Sequence, residues 1–368
     1  MSLADVASVG GKAASLGSLS QAGIAVPRGF VVLASAFRQA MSLLDPSGAL
    51  VRSVSEVPAG DVPGIARAAA AVRERIVALA LPPEVGAEIE AGYRSLGALS
   101  GAFSGASSGA SSGAFSVAYD AAVAVRSSAT MEDSSEASFA GLQDTYLGVY
   151  GVEAVLDRVR SCWASLYNDE SVAYRRRMGL AEDGLAMAVI IQRMISPRAA
   201  GVMFTRSPVT GDRSVVAIEG TWGLGSALVA GDVTPDAFTV SKVTGEITGR
   251  RIGAKLRLHS FQPNGKGIVV QAMPGGQRHS PCITDDEARA LTSVGRQVED
   301  LYGVPQDIEW ALLGDDSCHS ALHGEPADRI VLLQSRPETV WAARSQAPAA
   351  TPKARASDHV LNRFLRPL

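Results

Sequence analysis

The most informative part of the sequence is a pair of short stretches near its C-terminal end. Residues 307–310 read Asp-Ile-Glu-Trp, and residues 332–337 read Leu-Leu-Gln-Ser-Arg-Pro. In the first stretch polar and apolar side chains alternate, which is typical of a β-strand with one face in the core. We interpret the two stretches as neighbouring strands that are joined by an inserted loop at residues 314–328.

Alternation places Asp307 and Glu309 on one face of the first strand, and Gln334 and Arg336 on one face of the second. Acid, amide and guanidinium groups would then converge. Carboxylate and amide oxygens are suited to Mg²⁺, and an arginine neutralises the charge of a polyphosphate. A cross-strand salt bridge between Glu309 and Arg336 explains the same spacing without a ligand, so these residues alone leave both interpretations open.

The rest of the chain predicts a mixed α/β (α+β) fold. An Ala-rich stretch at residues 65–81 has the spacing of a helix, and the two prolines that follow end it. Short apolar, β-prone runs recur between helical or turn-rich stretches. These runs are residues 121–125, 186–191, 215–218, 268–273 and 330–333.

A second polar segment follows the apolar run at residues 121–125. Arg126 comes directly after that run, at an expected strand end where α/β folds place their ligands. Three hydroxyl residues come next: Ser127, Ser128 and Thr130. An arginine with neutral donors beside it suits a phosphate. Pairing of Arg126 with Glu132 or Asp133, with the hydroxyls as helix caps, is an equally good interpretation.

Three further segments are weaker candidates. Lys12 follows two glycines at the start of a helical pattern, where a backbone and a cation can approach an anion. Residues 138–141, from Ser138 to Gly141, form a small-residue loop that is also typical of an ordinary turn. Gln192 and Met194 follow a β-prone run and suit a flat purine ring, although packing of Met194 in the core explains its position equally well.

Composition excludes several classes of protein. The chain has 368 residues, 46% of them hydrophobic, and a net charge of −3, which gives no support to nucleic-acid binding. Three widely spaced cysteines fit neither a zinc site nor a disulfide framework, so we expect a reducing, cytoplasmic setting. No stretch has the length and hydropathy of an export signal or a membrane span.

Six segments, taken together and in this order, resemble the ATP-binding domain of the phosphoenolpyruvate synthase and pyruvate phosphate dikinase family. The resemblance runs from about Val9 to Trp341. None of the segments is decisive alone, but six in sequence are highly specific. They are VGGKAASLGSLSQAGIAVPRGFVV (9–32), VAVRSSATMEDSSEASFAGLQDTYLGV (123–149), GVMFTRSPVTGD (201–212), WGLGSALVAGDVTPD (222–236), YGVPQDIEWALL (302–313) and LLQSRPETVW (332–341).

The resemblance implies an ATP-grasp-like fold that holds ATP and Mg²⁺ between two lobes, which we expect at residues 1–185 and 186–342. It implies phosphate contacts for Lys12, Arg126 and Arg336. The stretch that contains Thr130, Ser138 and Gly141 would form a loop above the phosphates. The remaining assignments are Gln192 and Met194 at the adenine, and Glu309 and Gln334 at Mg²⁺.

In that family ATP phosphorylates a histidine on a swivelling domain, which then phosphorylates pyruvate or another acceptor and leaves AMP. None of the five histidines here lies in the motif of that domain. We therefore expect a stand-alone form that needs a separate phospho-histidine partner. The alternatives are a direct phosphotransferase for a phenol or antibiotic, and a non-catalytic nucleotide-binding regulator. A Ser/Gly/Ala-rich insertion at 98–118 and a tail at 343–368 complete the predicted organisation.

Overall fold

A computed structural model of the chain describes residues 5–58, 60–101, 121–130, 144–182, 184–262, 267–314, 326–339 and 341. Helices and strands follow each other along the chain, as the alternation of sequence patterns predicts. The helices are α1 Val6–Gln21, α2 Ala34–Leu44, α3 Ala49–Glu56, α4 Val62–Val77, α5 Pro83–Gly101, α6 Val152–Ala164, α7 Asp169–Met178, α8 Ser226–Val229 and α9 Asp285–Tyr302. The strands are β1 Gly29–Val32, β2 Val123–Ala129, β3 Thr145–Val149, β4 Met187–Arg193, β5 Pro197–Phe204, β6 Val215–Trp222, β7 Asp236–Ser241, β8 Ile247–Arg251, β9 Arg257–Phe261, β10 Ile268–Ala272, β11 Gln306–Leu313 and β12 Ile330–Pro337.

The described strands form two main sheets and a hairpin. The first sheet has the order β1-β4-β2-β3, the second has the order β12-β11-β5-β6-β7-β8, and β9 pairs with β10. Every pair of these strands is antiparallel. The mixed α/β class is confirmed, in its antiparallel, α+β form. Strand β4 belongs to the first sheet, so the division between the sheets differs by one strand from the boundary predicted at residue 185.

Each sheet has its own hydrophobic core. In the first, helices α2, α4, α5 and α6 contribute buried side chains such as Phe37, Ile76 and Trp163 against β2 and β4. In the second, α9 packs its buried face, including Leu291, against Trp310 and the strands beside it. Helix α9 begins with a complete capping box at Thr284 and Glu287, which satisfies the donors of its first turn.

In strand β11, apolar and polar side chains alternate between the second core and the opposite face of the sheet. Ile308, Trp310 and Leu312 are fully buried in the second core. The residues between them, Asp307 and Glu309, therefore lie on the opposite face of the sheet. The acidic face of β11 is thus positioned by the apolar side chains that alternate with it.

The local predictions fare well where they fall on described residues. The predicted helix at 65–81 overlaps α4, which ends at Val77, and each of the five predicted β-prone runs overlaps a strand. The cysteines Cys162 and Cys282 are buried and unpaired by any disulfide. No helix in the described ranges combines the length and the apolar composition needed to cross a membrane. Helix α5 continues to residue 101, inside the predicted insertion, whereas residues 102–118 and the predicted tail lie outside the described residues.

Candidate functional site

A cleft of about 760 Å³ lies between the first sheet and the second. Strands β2 and β4 line one wall, and β5, β11 and β12 line the other, so both sheets contribute to the same space. Seven of the residues that the sequence singled out line this cleft. They are Lys12, Arg126, Gln192, Met194, Glu309, Gln334 and Arg336.

Arg126 connects the two walls. Its Nη1 donates to the carbonyl of Leu333 at 2.7 Å, and its Nη2 donates to Gln334 Oε1 at 2.5 Å and to Glu309 Oε2 at 3.2 Å. Arg126 is 8% exposed, and its Nε is buried without a hydrogen-bond partner. Because Arg126 lies in the middle of β2, the prediction that it ends a strand is wrong; Ser127 and Ser128 continue the strand.

Leu333 lies in a β-bulge of strand β12. Glu309 pairs with Gln334, but the next residue, Trp310, pairs with Leu332, so Leu333 is the extra residue. The extra residue of a bulge does not take part in the regular hydrogen bonds between the two strands. The carbonyl of Leu333 instead accepts the hydrogen bond from Arg126. The irregularity of the strand therefore supplies an acceptor for the guanidinium on the cleft wall.

Arg336 pairs with Asp307, its neighbour across the strands. Arg336 Nε and Nη2 donate to Asp307 Oδ2 at 2.8 and 2.6 Å. Burial raises the pKa of Asp307, and the positive charge of Arg336 acts in the opposite direction. The salt bridge considered between Glu309 and Arg336 is therefore wrong as the principal pairing: the carboxylate of Glu309 lies against Arg126, and that of Asp307 lies against Arg336. The convergence of acid, amide and guanidinium groups is confirmed.

Lys12 reaches the cleft because helix α1 is interrupted before it. Gly10 has φ 76° and ψ 167° inside the helix, so the regular turn begins only after it. Ser128 fixes this interruption from both sides, since its Oγ donates to Val9 O at 2.9 Å and accepts from Ala13 N at 3.2 Å. Lys12 Nζ then donates to Ser127 O at 3.2 Å, beside the cleft.

Replacing Gly10 with alanine is expected to destabilise the chain by about 2–5 kcal/mol, through backbone strain and overpacking. A Cβ at this position would lie 2.2 Å from Ser128 O. Gly23 provides the matched control: its φ is 77°, but a Cβ there meets nothing within 4 Å, so Gly23→Ala should cost only about 1–2 kcal/mol. Urea unfolding measures both. Equal losses would show that the approach to Ser128 does not matter.

The end of the cleft away from Arg336 is mostly apolar, although Arg193 also lines it. Met194, Pro197, Leu224 and Val229 line it, and Val229 is 73% exposed at its mouth. Gln192 is buried there, and its Nε2 donates to Pro27 O at 3.3 Å. The cleft therefore has one charged end and one end that suits a flat, weakly polar ring.

Comparison with known proteins gives the family. The sequence profile of the pyruvate phosphate dikinase AMP/ATP-binding domain matches residues 6–357. The chain belongs to this family. One relative is a rifampicin phosphotransferase from Streptomyces sp, which is 43% identical over 91% of this chain and 35% of its own length. A phosphoenolpyruvate synthase from Aeropyrum pernix is 35% identical over 94% of this chain and 42% of its own length. A probable phosphoenolpyruvate synthase from Methanothermobacter thermautotrophicus is 37% identical over 91% of this chain and 44% of its own length. The chain thus spans about two fifths of the length of these relatives.

Three residues that the family resemblance assigns are not placed at the cleft. Thr130 lies just after β2, where its hydroxyl donates to Ala186 O at 3.2 Å, and it is not among the residues that line the cleft. Ser138 and Gly141 lie outside the described residues. Their roles in this member of the family stay predictions.

Some features of the cleft are not predicted by the sequence. Alternation places Asp307 on the same face as Glu309, but the register that brings Asp307 to Arg336 depends on the pairing of two strands. Ser226 and its neighbour Gly225 belong to a glycine-rich segment whose pattern is too common to predict a site. Thr145 and Leu147 come from β3, where no chemical signal marks them.

Glu309 and Gln334 fit a divalent cation by their chemistry. Their side chains are neighbours across β11 and β12, and both present an oxygen to the same guanidinium. Mg²⁺ accepts such oxygens and keeps several waters and phosphate oxygens of its own, so two protein ligands are enough. The described residues contain no group of three or more His, Cys, Asp or Glu side chains that could hold a metal. A family member that binds Mg²⁺ here would therefore do so together with a phosphate ligand.

Proposed function

We propose that this chain is the nucleotide-binding part of an ATP-dependent phosphotransferase, with ATP held between two lobes in an ATP-grasp-like arrangement. The observation that carries the proposal is the position of Arg126. It connects β2 in one sheet with Glu309, Gln334 and the Leu333 carbonyl in the other, inside a cleft with one charged and one apolar end. Membership of an AMP/ATP-binding family supports the same conclusion.

In this proposal the adenine occupies the apolar end beside Gln192 and Met194, and the phosphates lie at Lys12, Arg126 and Arg336. Glu309 and Gln334 would hold Mg²⁺, which neutralises charge on the phosphates when it is bound. The protein's own contribution is to orient the phosphate chain and to offset its charge, which is the main requirement of in-line phosphoryl transfer. No general base from the chain is needed.

The acceptor is a histidine on another domain, which we propose is carried by a separate partner chain in the cytoplasm. The final acceptor is pyruvate or another small molecule. Relatives named phosphoenolpyruvate synthase and rifampicin phosphotransferase both support the phosphotransferase class, and the second favours the alternative of an antibiotic acceptor. Transfer through a histidine keeps the nucleotide cleft the same whichever acceptor follows.

The acceptor step is tested by supplying the histidine separately. The chain is incubated with Mg²⁺, radiolabelled ATP and the part of the Streptomyces rifampicin phosphotransferase outside the matched region, expressed as its own protein. We expect AMP, an acid-labile phosphate on histidine and one inorganic phosphate, because ATP loses two phosphoryl groups and water takes the one that the histidine does not keep. The intact relative serves as the positive control for the chemistry. ATP that is bound but never consumed would contradict the histidine acceptor.

Arg336→Ala is expected to weaken MgATP binding by about 1.5–3 kcal/mol, the usual loss for a charged hydrogen bond. Arg336 is 33% exposed in its side chain and faces the cleft, so it can exchange part of its contact with Asp307 for a phosphate. Isothermal titration calorimetry measures the affinity. An unchanged dissociation constant would remove Arg336 from the phosphate site.

Glu309→Gln is expected to reduce the dependence of ATP binding on Mg²⁺, because the neutral amide is a poorer ligand for a hard divalent cation. The measurement is a titration of Mg²⁺ at fixed ATP concentration. Glu246→Gln is a suitable control, since Glu246 is exposed in the loop between β7 and β8, at the far edge of the second sheet. Full Mg²⁺ dependence in Glu309→Gln would show that the metal is held elsewhere.

A further inference from the structure

A Ser, a His and an Asp side chain meet at the apolar end of the cleft. Ser226 Oγ lies 3.0 Å from His259 Nδ1, and His259 Nε2 lies 3.2 Å from Asp232 Oδ2. His259 is 7% exposed, whereas Ser226 lines the cleft. The buried His259 is therefore hydrogen-bonded to a serine residue that lines the cleft.

The partners of His259 determine what the serine hydroxyl presents to a ligand. Asp232 lies on the Nε2 side, which favours the tautomer with its proton on Nε2; the N–H is not aligned for a directed hydrogen bond, so the contact is electrostatic. Nδ1 is then an acceptor, and the Ser226 hydroxyl donates a hydrogen bond to it. The lone pairs of Ser226 Oγ remain available to accept a hydrogen bond from a ligand.

The position of Ser226 along the cleft corresponds to the sugar. Gly225 packs against Ala200, which pairs with Ala311 on β11. Along β5, Ala200 lies between Pro197 at the apolar end and Phe204, which pairs with Asp307 at the charged end. Ser226 therefore lies on the charged side of Pro197, and in a nucleotide the sugar lies between the base and the phosphates.

We propose that Ser226, oriented by His259, accepts a hydrogen bond from a ribose hydroxyl and so makes the cleft selective for ribonucleotides over deoxyribonucleotides. The inference rests on the proposed ATP-binding function. The backbone fixes the serine, because Leu224 N donates to His259 O at 2.9 Å and joins the segment before Ser226 to β9. The hydroxyl is therefore held in place before a nucleotide arrives.

The test compares the dissociation constants of MgATP, Mg-2′-deoxyATP and Mg-3′-deoxyATP by calorimetry. We expect the chain to bind ATP about three- to tenfold more tightly than one of the deoxynucleotides, the effect of a single neutral hydrogen bond. Ser226→Ala should bring that ratio close to one and leave the affinity for the deoxynucleotide unchanged. Ser226→Thr keeps the hydroxyl and should keep the discrimination.

Ser42→Ala, at a serine that donates to its own helix backbone, is the control and should leave the ratio as it is. ATP binding with no discrimination in the unmodified chain, or with the same discrimination in Ser226→Ala, would overturn this inference alone. Failure of the unmodified chain to bind any of the three nucleotides would instead overturn the proposed function on which it rests.

Discussion

Arg126→Ala is expected to weaken MgATP binding by about 3 kcal/mol or more, which corresponds to over a hundredfold in affinity. The guanidinium lies on the wall of the cleft and contacts Leu333, Gln334 and Glu309 together. Its removal takes away positive charge from the phosphate end and leaves Glu309 without its counter-ion. Both effects oppose the approach of a polyanion, so the loss should exceed that of Arg336→Ala.

Arg126→Lys distinguishes the effect of the positive charge on binding from the effect of the guanidinium's shape. A lysine keeps the charge but lacks the fork that reaches three acceptors at once, so we expect affinity between that of the unmodified chain and that of Arg126→Ala. Arg94→Ala is the matched control, because Arg94 has a 62% exposed side chain paired with Glu90 on the outside of α5. Circular dichroism confirms that each variant is folded at the titration temperature. Wild-type affinity in folded Arg126→Ala would contradict the assigned role.

Asp236→Ala is expected to have the largest effect on stability, a loss of about 3–5 kcal/mol, because it leaves a buried charge without its partner. Asp236 and Lys255 form an ion pair in which both side chains are fully buried. The carboxylate also accepts from Gly253 N at 2.9 Å and from Cys282 N at 2.7 Å. One side chain therefore joins β7 to two further segments, one at residues 253–255 and one at residue 282.

Glu90→Ala provides the comparison for an exposed ion pair. The Arg94–Glu90 pair connects adjacent turns of α5 with both side chains exposed, so its loss should cost less than about 1 kcal/mol. Chemical denaturation of the two variants measures the difference. If Asp236→Ala unfolds at the same denaturant concentration as Glu90→Ala, the buried pair does not stabilise the fold.

Much of the fold follows from local patterns in the sequence. The alternation around Ile308 and Trp310 correctly gives a strand with one face in the core. The apolar run at 121–125 gives the start of β2, but the strand continues through Ser127 and Ser128, which polarity alone disfavours. Ser128 is tolerated because α1 covers it and its Oγ donates to Val9 O. Ser127 lies on the opposite face of β2, where its hydroxyl is buried without a hydrogen-bond partner. Ser128 and Val9 are more than a hundred residues apart in the sequence, so no local sequence pattern reveals their contact.

The site was predictable in its composition but not in its pairings. The sequence identifies Glu309, Gln334, Arg336 and Arg126 as candidates, and the structure brings all four together. The partner of each arginine depends on the register of the strands. The bulge at Leu333 provides one acceptor for Arg126, and the alignment of β11 with β12 places Asp307 opposite Arg336. Register is set by the packing of whole strands, so single residues do not reveal it.

A MgATP site between the two sheets is tested most directly by calorimetric titration of the chain with ATP in the presence and absence of Mg²⁺, beside Arg336→Ala. We expect saturable binding of one ATP per chain that requires Mg²⁺ for full affinity and is weakened in the variant. Absence of binding under both conditions, or binding that neither Mg²⁺ nor Arg336→Ala affects, would contradict a MgATP site between the two sheets.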